Sequence, residues 1–297
     1  MIIPSKYPEP TKKDIAIILP YFNPCNSRNI KNNLLIIKKM LDNSKIPYYI
    51  GEIVFKGSKS IFTPQNNIFT FESDSYMFYK ENIINMVEEK IPEYYTKICF
   101  MDGDIFYSDD NWYKIISETL DKFTICQPFS IGTYLDKNNS KIMRQVISCI
   151  KTNIDTHPGF IWAFQREFFK KNKLFDLTVI GGGDKMLESL LFDDRPHLKK
   201  TYLNKSFEIY KKTFDKKGMT MTYCDLKLYH LYHGDINKRQ YNTRNDIVSK
   251  LLIEFSKSDV SELVERDENK MLKWKDEFKE KFNKHLLKYF SDRHDDK

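Results

Sequence analysis

The stretch from Lys97 to Tyr107 reads KICFMDGDIFY, an apolar run that ends on two aspartates with a glycine between them. The continuous apolar segment 98–101 is typical of a strand buried on both faces. Asp102 and Asp104 follow where such a strand ends, and a two-residue period directs both carboxylates to one side. Gly103 allows a turn or the close approach of a ligand. Two carboxylates so held suit Mg²⁺ or Mn²⁺ beside a phosphate, although an isolated Asp-x-Asp is also common in solvated turns.

The segments before this stretch alternate between strand and helix patterns. Compact apolar strands are predicted at Ile15–Leu19 and Tyr48–Phe55, with a helical pattern between them. A second helical pattern ends at Pro92, directly before the strand that carries the aspartates. This order predicts an α/β fold with a sheet flanked by helices. Residues 130–157 do not continue this alternation of strand and helix patterns, and they are predicted to form a loop or short excursion over a substrate site.

A second candidate segment is IGGGD, residues 180–184, in a chain with only 10 glycines. Gly182 and Gly183 permit positive φ and a close approach of the backbone. Asp184 has two interpretations at this point. It is either the N-cap of the helix that follows, or a carboxylate held in a pocket where it accepts a proton.

A late strand is predicted within CDLKLYHLYHGD, residues 224–235, and it carries two histidines near its end. A single histidine is usually structural. Beside a candidate pair of aspartates, however, His230 or His233 could complete a metal site of nitrogen and oxygen ligands. His233 is favoured because it directly precedes Gly234, where a strand would break and open a site.

Composition limits the classes of protein to be considered. The 297 residues include 48 basic and 41 acidic side chains, a net charge of +7, and these charges are interleaved rather than gathered into a basic stripe. A nucleic-acid partner is therefore not expected. The five cysteines lack C-x-x-C spacing and are expected to be reduced thiols. Without a secretory segment or an apolar run of roughly 18 residues, a soluble cytoplasmic protein is expected.

The chain is expected to divide into a catalytic domain, residues 1–250, and a charged helical extension, residues 251–297. The extension has a sparse apolar stripe, which is typical of a helix that packs on the domain or binds a partner, including a second copy of the chain. The stripe consists of Trp274, Phe278, Phe282, Leu286 and Leu287.

Four stretches in this order resemble the GT-A family of nucleotide-sugar-dependent glycosyltransferases, particularly its galactosyltransferase-like members. They span roughly residues 15–250 and read PYFNP, KEN leading to MDGDIFY, HPGFIWAFQREFF with IGGGD, and YHLYHGDINKRQYNTR. The resemblance implies a Rossmann-like mixed sheet flanked by helices. It also implies that Asp102 and Asp104, the carboxylates of the DxD motif, bind Mn²⁺ or Mg²⁺, with His230 or His233 as the third ligand. The ion would lie on the diphosphate of a nucleotide sugar, with UDP preferred.

The same resemblance suggests roles for further residues. Arg239 and Arg244 either support the metal loop or pair with phosphate. Stacking on a sugar is expected from Trp162, Tyr134 and Phe160, with core packing as the alternative for the tryptophan and the phenylalanine. The nucleotide-sugar site is expected to include Pro20, Tyr21 and Asn23 at the base, Arg28 and Lys80 at uridine or phosphate, and Asp102, Gly103, Gly182 and Gly183.

The implied reaction transfers a hexose or N-acetylhexosamine to a hydroxyl of a glycan, protein or small-molecule acceptor. Asp184 is the expected general base, which predicts inversion; a retaining mechanism would leave Asp184 a binding role. The GGGD segment departs from relatives that carry acidic pairs or tryptophan there, so no sugar preference is implied. One alternative is a sugar-phosphate nucleotidyltransferase, which would need a glycine-rich loop where this chain has PYFNPCNSRN. The other is a non-catalytic module that binds carbohydrate or RNA.

Overall fold

The structure, a computed structural model, describes residues 3–152, 156–192, 201–241 and 243–296, without the side chains of residues 201 and 236. Its strands form two large sheets and a hairpin. In chain order they are β1 (Ile15–Phe22), β2 (Tyr48–Phe55), β3 (Ile68–Ser73), β4 (Lys97–Met101), β5 (Ile105–Tyr107), β6 (Ile125–Gln127), β7 (Ile131–Leu135), β8 (Ile142–Ser148), β9 (Thr156–His157), β10 (Ile161–Gln165), β11 (Met221–Tyr223), β12 (Lys227–His230), β13 (Val264–Arg266) and β14 (Leu272–Trp274).

The helices fall mostly between these strands, and two of them belong to the last fifth of the chain. They are α1 (Arg28–Ser44), α2 (Lys80–Glu88), α3 (Trp112–Leu120), α4 (Arg166–Asn172), α5 (Gly183–Leu191), α6 (Asn204–Thr213), α7 (Arg244–Glu254) and α8 (Asp276–Asp292). None of the helices in the described ranges combines the length and the apolar character that crossing a bilayer requires.

The larger sheet has the strand order β11-β6-β10-β4-β1-β2-β3. Strands β1, β2, β3 and β4 run parallel to their neighbours among these four, whereas β10 pairs antiparallel with β4 and β6. Alternate residues of β1 pack into two separate apolar cores, so helices cover both faces of the sheet. This mixed sheet flanked by helices, together with α8 near the C-terminus, confirms the predicted fold class.

Residues 130–157 were expected to be a loop or a short excursion over a substrate site, and the prediction of a loop is wrong. They contribute β7, β8 and β9 to the second sheet, whose order is β5-β12-β7-β8-β9. The apolar pattern concealed this because the first half of β8 is exposed, including the apolar side chains of Ile142 and Met143. The alternation of buried and exposed side chains that is typical of a strand is therefore absent from the first half of β8. All five cysteines are free thiols, as expected.

The segment after residue 250 packs into the same apolar core as β2 and α2. The apolar face of α8 is buried, and the Trp274 ring, itself fully buried, stacks on Phe282 with ring centroids 4.4 Å apart. The hairpin of β13 and β14 precedes α8 and was not expected from the sequence. The structure therefore shows α8 packed on the domain. Association between copies of the chain through α8 stays a prediction.

Candidate active site

A cavity of about 520 Å³ lies where β1 and β4 end. Its wall combines the loops after these two strands with the GGGD segment, the second sheet and the residues that follow α8. Most of the side chains proposed from the sequence line it. They are Pro20, Tyr21, Asn23, Lys80, Asp102, Gly103, Asp104, Tyr134, Phe160, Gly182, Asp184, His230, His233, Arg239 and Arg244.

Three of the proposed residues do not line the cavity. Arg28 is exposed on α1. Trp162 is a core residue: it is fully buried, and its indole Nε1 donates to the Pro158 carbonyl at 2.6 Å. Gly183 packs on the side chain of Glu81, where an added Cβ would lie 2.1 Å from Oε1. The glycine at 183 is thus required by packing on a buried glutamate.

A group of three potential metal ligands forms one side of the cavity. The Asp104 carboxylate lies 2.9 Å from His233 Nε2, which in turn lies 3.2 Å from His230 Nε2. These ligand atoms all lie within 4.8 Å of one another. Strand pairing explains the assembly, because β5 follows the DGD turn directly and pairs His230 of β12 with Ile105. Asp102 lies outside this group.

Burial and neighbouring charged groups shift the pKa values of His230 and Asp104. The pKa of His230 falls to about 3, chiefly because burial disfavours the imidazolium, so His230 is neutral and able to bind a metal. Burial alone would raise the pKa of Asp104, but the two imidazoles and Arg239 outweigh it and hold that pKa below its ordinary value. The second oxygen of Asp104, Oδ1, is buried without a hydrogen-bond partner among the described residues. Such an atom is costly unless a ligand engages it.

The other side of the cavity is organised by Lys80, the first residue of α2. Its ammonium nitrogen lies 2.7 Å from Asp102 and 3.1 Å from Asp184. Asp184 is not the N-cap of α5; Gly182 occupies that position with φ of +93°. The capping interpretation of Asp184 is therefore wrong, because its carboxylate is turned to Lys80 instead of the free N–H groups of the helix.

Two acidic residues near Lys80, Asp102 and Glu81, have raised pKa values. Burial raises the pKa of Asp102 to about 6, since the neighbouring Asp184 and Asp104 add to it and the attraction of Lys80 compensates only in part. Burial also raises the pKa of Glu81, to about 7, with Asp184 as the next cause. Conversely, the three carboxylates outweigh burial and raise the pKa of Lys80, which stays charged. Of these groups, Asp102 and Lys80 line the cavity, and groups so perturbed in a cavity are candidates for catalysis.

The sequence interpretation missed two contributions to the cavity. His157 lines it beside Phe160, with the two rings stacked at 4.1 Å. The signal that could have identified His157 from the sequence was its position within the HPGF segment. The residues after α8 also reach the cavity, where the Asp295 carboxylate lies 3.7 Å from His233 Nδ1. Nothing in the charged C-terminal sequence indicated this contact.

No protein-family model matches the chain. No curated protein sequence matches it. Among solved structures, the chain is similar to the catalytic domain of Drosophila β1,4-galactosyltransferase 7 in complex with xylobiose. The identity is 11%, the match covers 92% of this chain and 98% of that one, and the TM-score is 0.42. The chain is also similar to glucosyl-3-phosphoglycerate synthase from Mycobacterium tuberculosis in complex with Mn²⁺, UDP and glucosyl-3-phosphoglycerate, at 10% identity over 83% and 81%, with a TM-score of 0.41.

Proposed function

We propose that the protein is a metal-dependent glycosyltransferase of the GT-A type that transfers a sugar from a nucleotide sugar, with UDP as the favoured nucleotide, to an acceptor hydroxyl. One observation carries the proposal. The Asp104, His230 and His233 group and the Lys80, Asp102 and Asp184 group line the same cavity. The cavity therefore offers ligands for a divalent ion and a carboxylate for proton transfer within one substrate-sized space.

The first group fits Mn²⁺ better than Mg²⁺, which prefers ligands that are all oxygen. It offers a carboxylate and two imidazole nitrogens, a donor set suited to a divalent transition metal. The unpartnered Oδ1 of Asp104 is the strongest sign that a ligand belongs there, since no described residue satisfies it. A bound ion would place positive charge beside the diphosphate as it leaves. In this assignment Asp102 is held by Lys80 and contributes charge from outside the three-ligand group.

Asp184 is the proposed general base. In the reaction, the acceptor oxygen forms a bond to the anomeric carbon, the bond from that carbon to the diphosphate oxygen breaks, and the hydroxyl proton passes to Asp184. Lys80 fixes the carboxylate through contacts of 3.1 and 3.2 Å to its two oxygens. A base in line with the leaving group gives inversion of the anomeric configuration.

The nucleotide is proposed to lie against the segment after β1. Pro20, Tyr21 and Asn23 line the cavity there, and Tyr21 is anchored by a hydrogen bond of 3.3 Å from the Asn23 amide. An aromatic ring held in this way is suited to stacking on a base. Arg239 and Arg244 also line the cavity, and each has a buried Nε without a partner among the described residues, as expected for groups that meet phosphate.

A thermal-shift panel tests this proposal. UDP-, GDP-, CDP- and TDP-linked sugars are each added with Mn²⁺ or with EDTA, because a ligand that binds only the folded state raises the melting temperature. A shift with UDP-sugars that requires Mn²⁺ is the expected result, followed by release of UDP when acceptors are supplied. If no nucleotide sugar shifts the melting temperature in the presence of Mn²⁺, the proposed function is wrong.

A further inference from the structure

A short chain of hydrogen bonds in the cavity wall has a fixed direction. The backbone N–H of Gly159 donates to Nδ1 of His157 at 2.9 Å, so this nitrogen carries no hydrogen. A neutral imidazole must then carry its hydrogen on Nε2. His157 Nε2 lies 2.9 Å from the Tyr134 hydroxyl oxygen, and the only available arrangement is donation from the imidazole to that oxygen. The imidazole cannot accept the tyrosine hydrogen in return.

The hydroxyl hydrogen of Tyr134 is consequently directed away from His157. Within the described parts of the chain, no other group forms a hydrogen bond with this hydroxyl. Tyr134 lines the cavity, and its ring lies 4.7 Å from the ring of His230. Strand register explains this proximity, since Tyr134 of β7 pairs directly with His230 of β12. A donor of fixed direction therefore lies beside the proposed metal ligands.

We propose that Tyr134 donates this hydrogen bond to a phosphoryl oxygen of the bound nucleotide diphosphate, and that His157 is the positioning residue that makes Tyr134 a donor. The inference rests on the proposed function. Phosphoryl oxygens of a diphosphate accept hydrogen bonds and have no hydrogen to donate, so they match a hydroxyl whose hydrogen is directed away from His157 and is free to be donated. A position beside the metal ligands is also where a metal-bound diphosphate belongs. Tyr134 thereby acts as a polar contact to the leaving group rather than as a platform for a sugar.

Packing on Phe160 fixes the His157 ring. His157 stacks on Phe160 with an interplanar angle of 11°, and Phe160 has a positive φ of 74° that turns its ring into the cavity wall. Burial is the main cause that lowers the pKa of His157, so the imidazole stays neutral. The direction of the hydrogen bonds is thus set before any ligand binds, which reduces the cost of ordering them on binding.

Binding measurements with Tyr134→Phe test the contact. Affinities for UDP are measured by calorimetry, and affinity for uridine by saturation-transfer NMR, both with Mn²⁺. Tyr134→Phe keeps the ring and should weaken UDP binding roughly 10- to 100-fold, as for loss of a hydrogen bond to a charged group, while uridine binding stays unchanged. The matched control is Tyr229→Phe on β12, whose ring stacks on Phe106 and does not line the cavity; it should bind both ligands like wild type.

A double-mutant cycle tests the positioning role. His157→Phe preserves an aromatic ring on Phe160 but removes the Nε2 donor, so UDP binding should weaken by a smaller factor than in Tyr134→Phe. In the Tyr134→Phe background the same change should have almost no further effect, because the two residues act through one contact. Fully additive losses would contradict the inference, since they indicate independent structural roles. Melting temperatures of all variants establish that they are folded.

The outcomes separate the two proposals. Wild-type protein that fails to bind UDP with Mn²⁺ overturns both the proposed function and this inference. Wild-type protein that binds UDP while Tyr134→Phe binds it equally well overturns this inference alone. Equal losses of UDP and uridine affinity in Tyr134→Phe also overturn it, because they place the tyrosine at the nucleoside rather than at the diphosphate.

Discussion

Lys80 holds its ammonium nitrogen 2.7 Å from a carboxylate oxygen of Asp102, and the lysine side chain is only 7% exposed. The same nitrogen contacts Asp184, so one buried cation connects the DGD turn to the GGGD segment. This contact explains why Asp102 lies apart from the three metal-ligand candidates. The contact of Lys80 with uridine or phosphate, which the resemblance implied, stays a prediction, since Lys80 also lines the cavity.

Replacement of Lys80 by methionine should destabilise the fold by about 2 to 4 kcal/mol, because it leaves two partly buried carboxylates without their counterion. The free energy of unfolding, measured by urea denaturation, checks this value. Lys114→Met is the matched control, since Lys114 is 67% exposed and pairs with Glu118 on the surface of α3. The control should change stability by less than about 1 kcal/mol. Equal effects of the two changes would show that the Lys80 contacts contribute little.

Asp184→Asn should lower the rate of sugar transfer by roughly 10²- to 10⁴-fold, because the amide cannot take the acceptor proton. Metal-dependent binding of the UDP-sugar should persist. Turnover and donor affinity measured on the same preparation check both parts. Asp225→Asn, a change at an exposed aspartate, serves as the control for loss of one negative charge. A transfer rate near that of wild type would exclude Asp184 as the base.

The pKa of Glu81 should make the stability of the protein depend on pH. Its pKa in the folded protein is raised from 4.5 to about 7, so the folded state binds more protons than the unfolded state between these values. The favourable contribution is fully present below pH 4.5 and is lost as the pH rises through about 7. Glu81→Gln should therefore gain stability relative to wild type over this range, by up to roughly 3 kcal/mol.

Unfolding free energies measured in EDTA from pH 4 to pH 8 test this dependence. The exposed Glu118→Gln on α3 is the control and should follow the wild-type curve, since its carboxylate is 61% exposed. A constant difference between Glu81→Gln and wild type across the range would mean that the carboxylate titrates normally.

The C-terminal segment should be essential to stability. Leu286→Ala on α8 removes a fully buried side chain and should cost about 2 to 5 kcal/mol. Ile253→Ala on α7 provides the contrast, because this side chain is 77% exposed and its removal should change stability by about 0.5 kcal/mol at most. Chemical denaturation of both variants measures the difference. Comparable stabilities would indicate that α8 packs loosely on the domain.

The central strands could be predicted from the sequence because burial on both faces leaves continuous apolar runs. Strand β4 is buried at every position, and the aspartates follow it directly. His230 and His233 could also be recognised, since they lie at and shortly after the end of a compact strand and close to a glycine. These features depend on local sequence alone, which is why the pattern was sufficient.

Other parts of the site depend on contacts between distant segments. The role of Lys80 requires the GGGD segment to approach the start of α2, and no periodicity indicates that distance. Asp184 resembled an N-cap because an aspartate that follows glycines and precedes a helical pattern is typical of a cap, whereas α5 begins one residue earlier, at Gly183. Asp295 enters the cavity from the end of the chain, where the sequence is simply charged. Strand β8 was hidden because exposed apolar residues interrupt its pattern.

The central claim is that Asp104, His230 and His233 bind the divalent ion that holds a nucleotide diphosphate. Calorimetric titration of UDP into wild-type protein and Asp104→Ala, each with and without Mn²⁺, tests it most directly, with the exposed Asp110→Ala as control. The account predicts Mn²⁺-dependent binding by wild type and Asp110→Ala, and no measurable Mn²⁺-dependent binding by Asp104→Ala, because the ion loses its carboxylate ligand. Mn²⁺-dependent UDP binding of wild-type strength in Asp104→Ala would contradict the account.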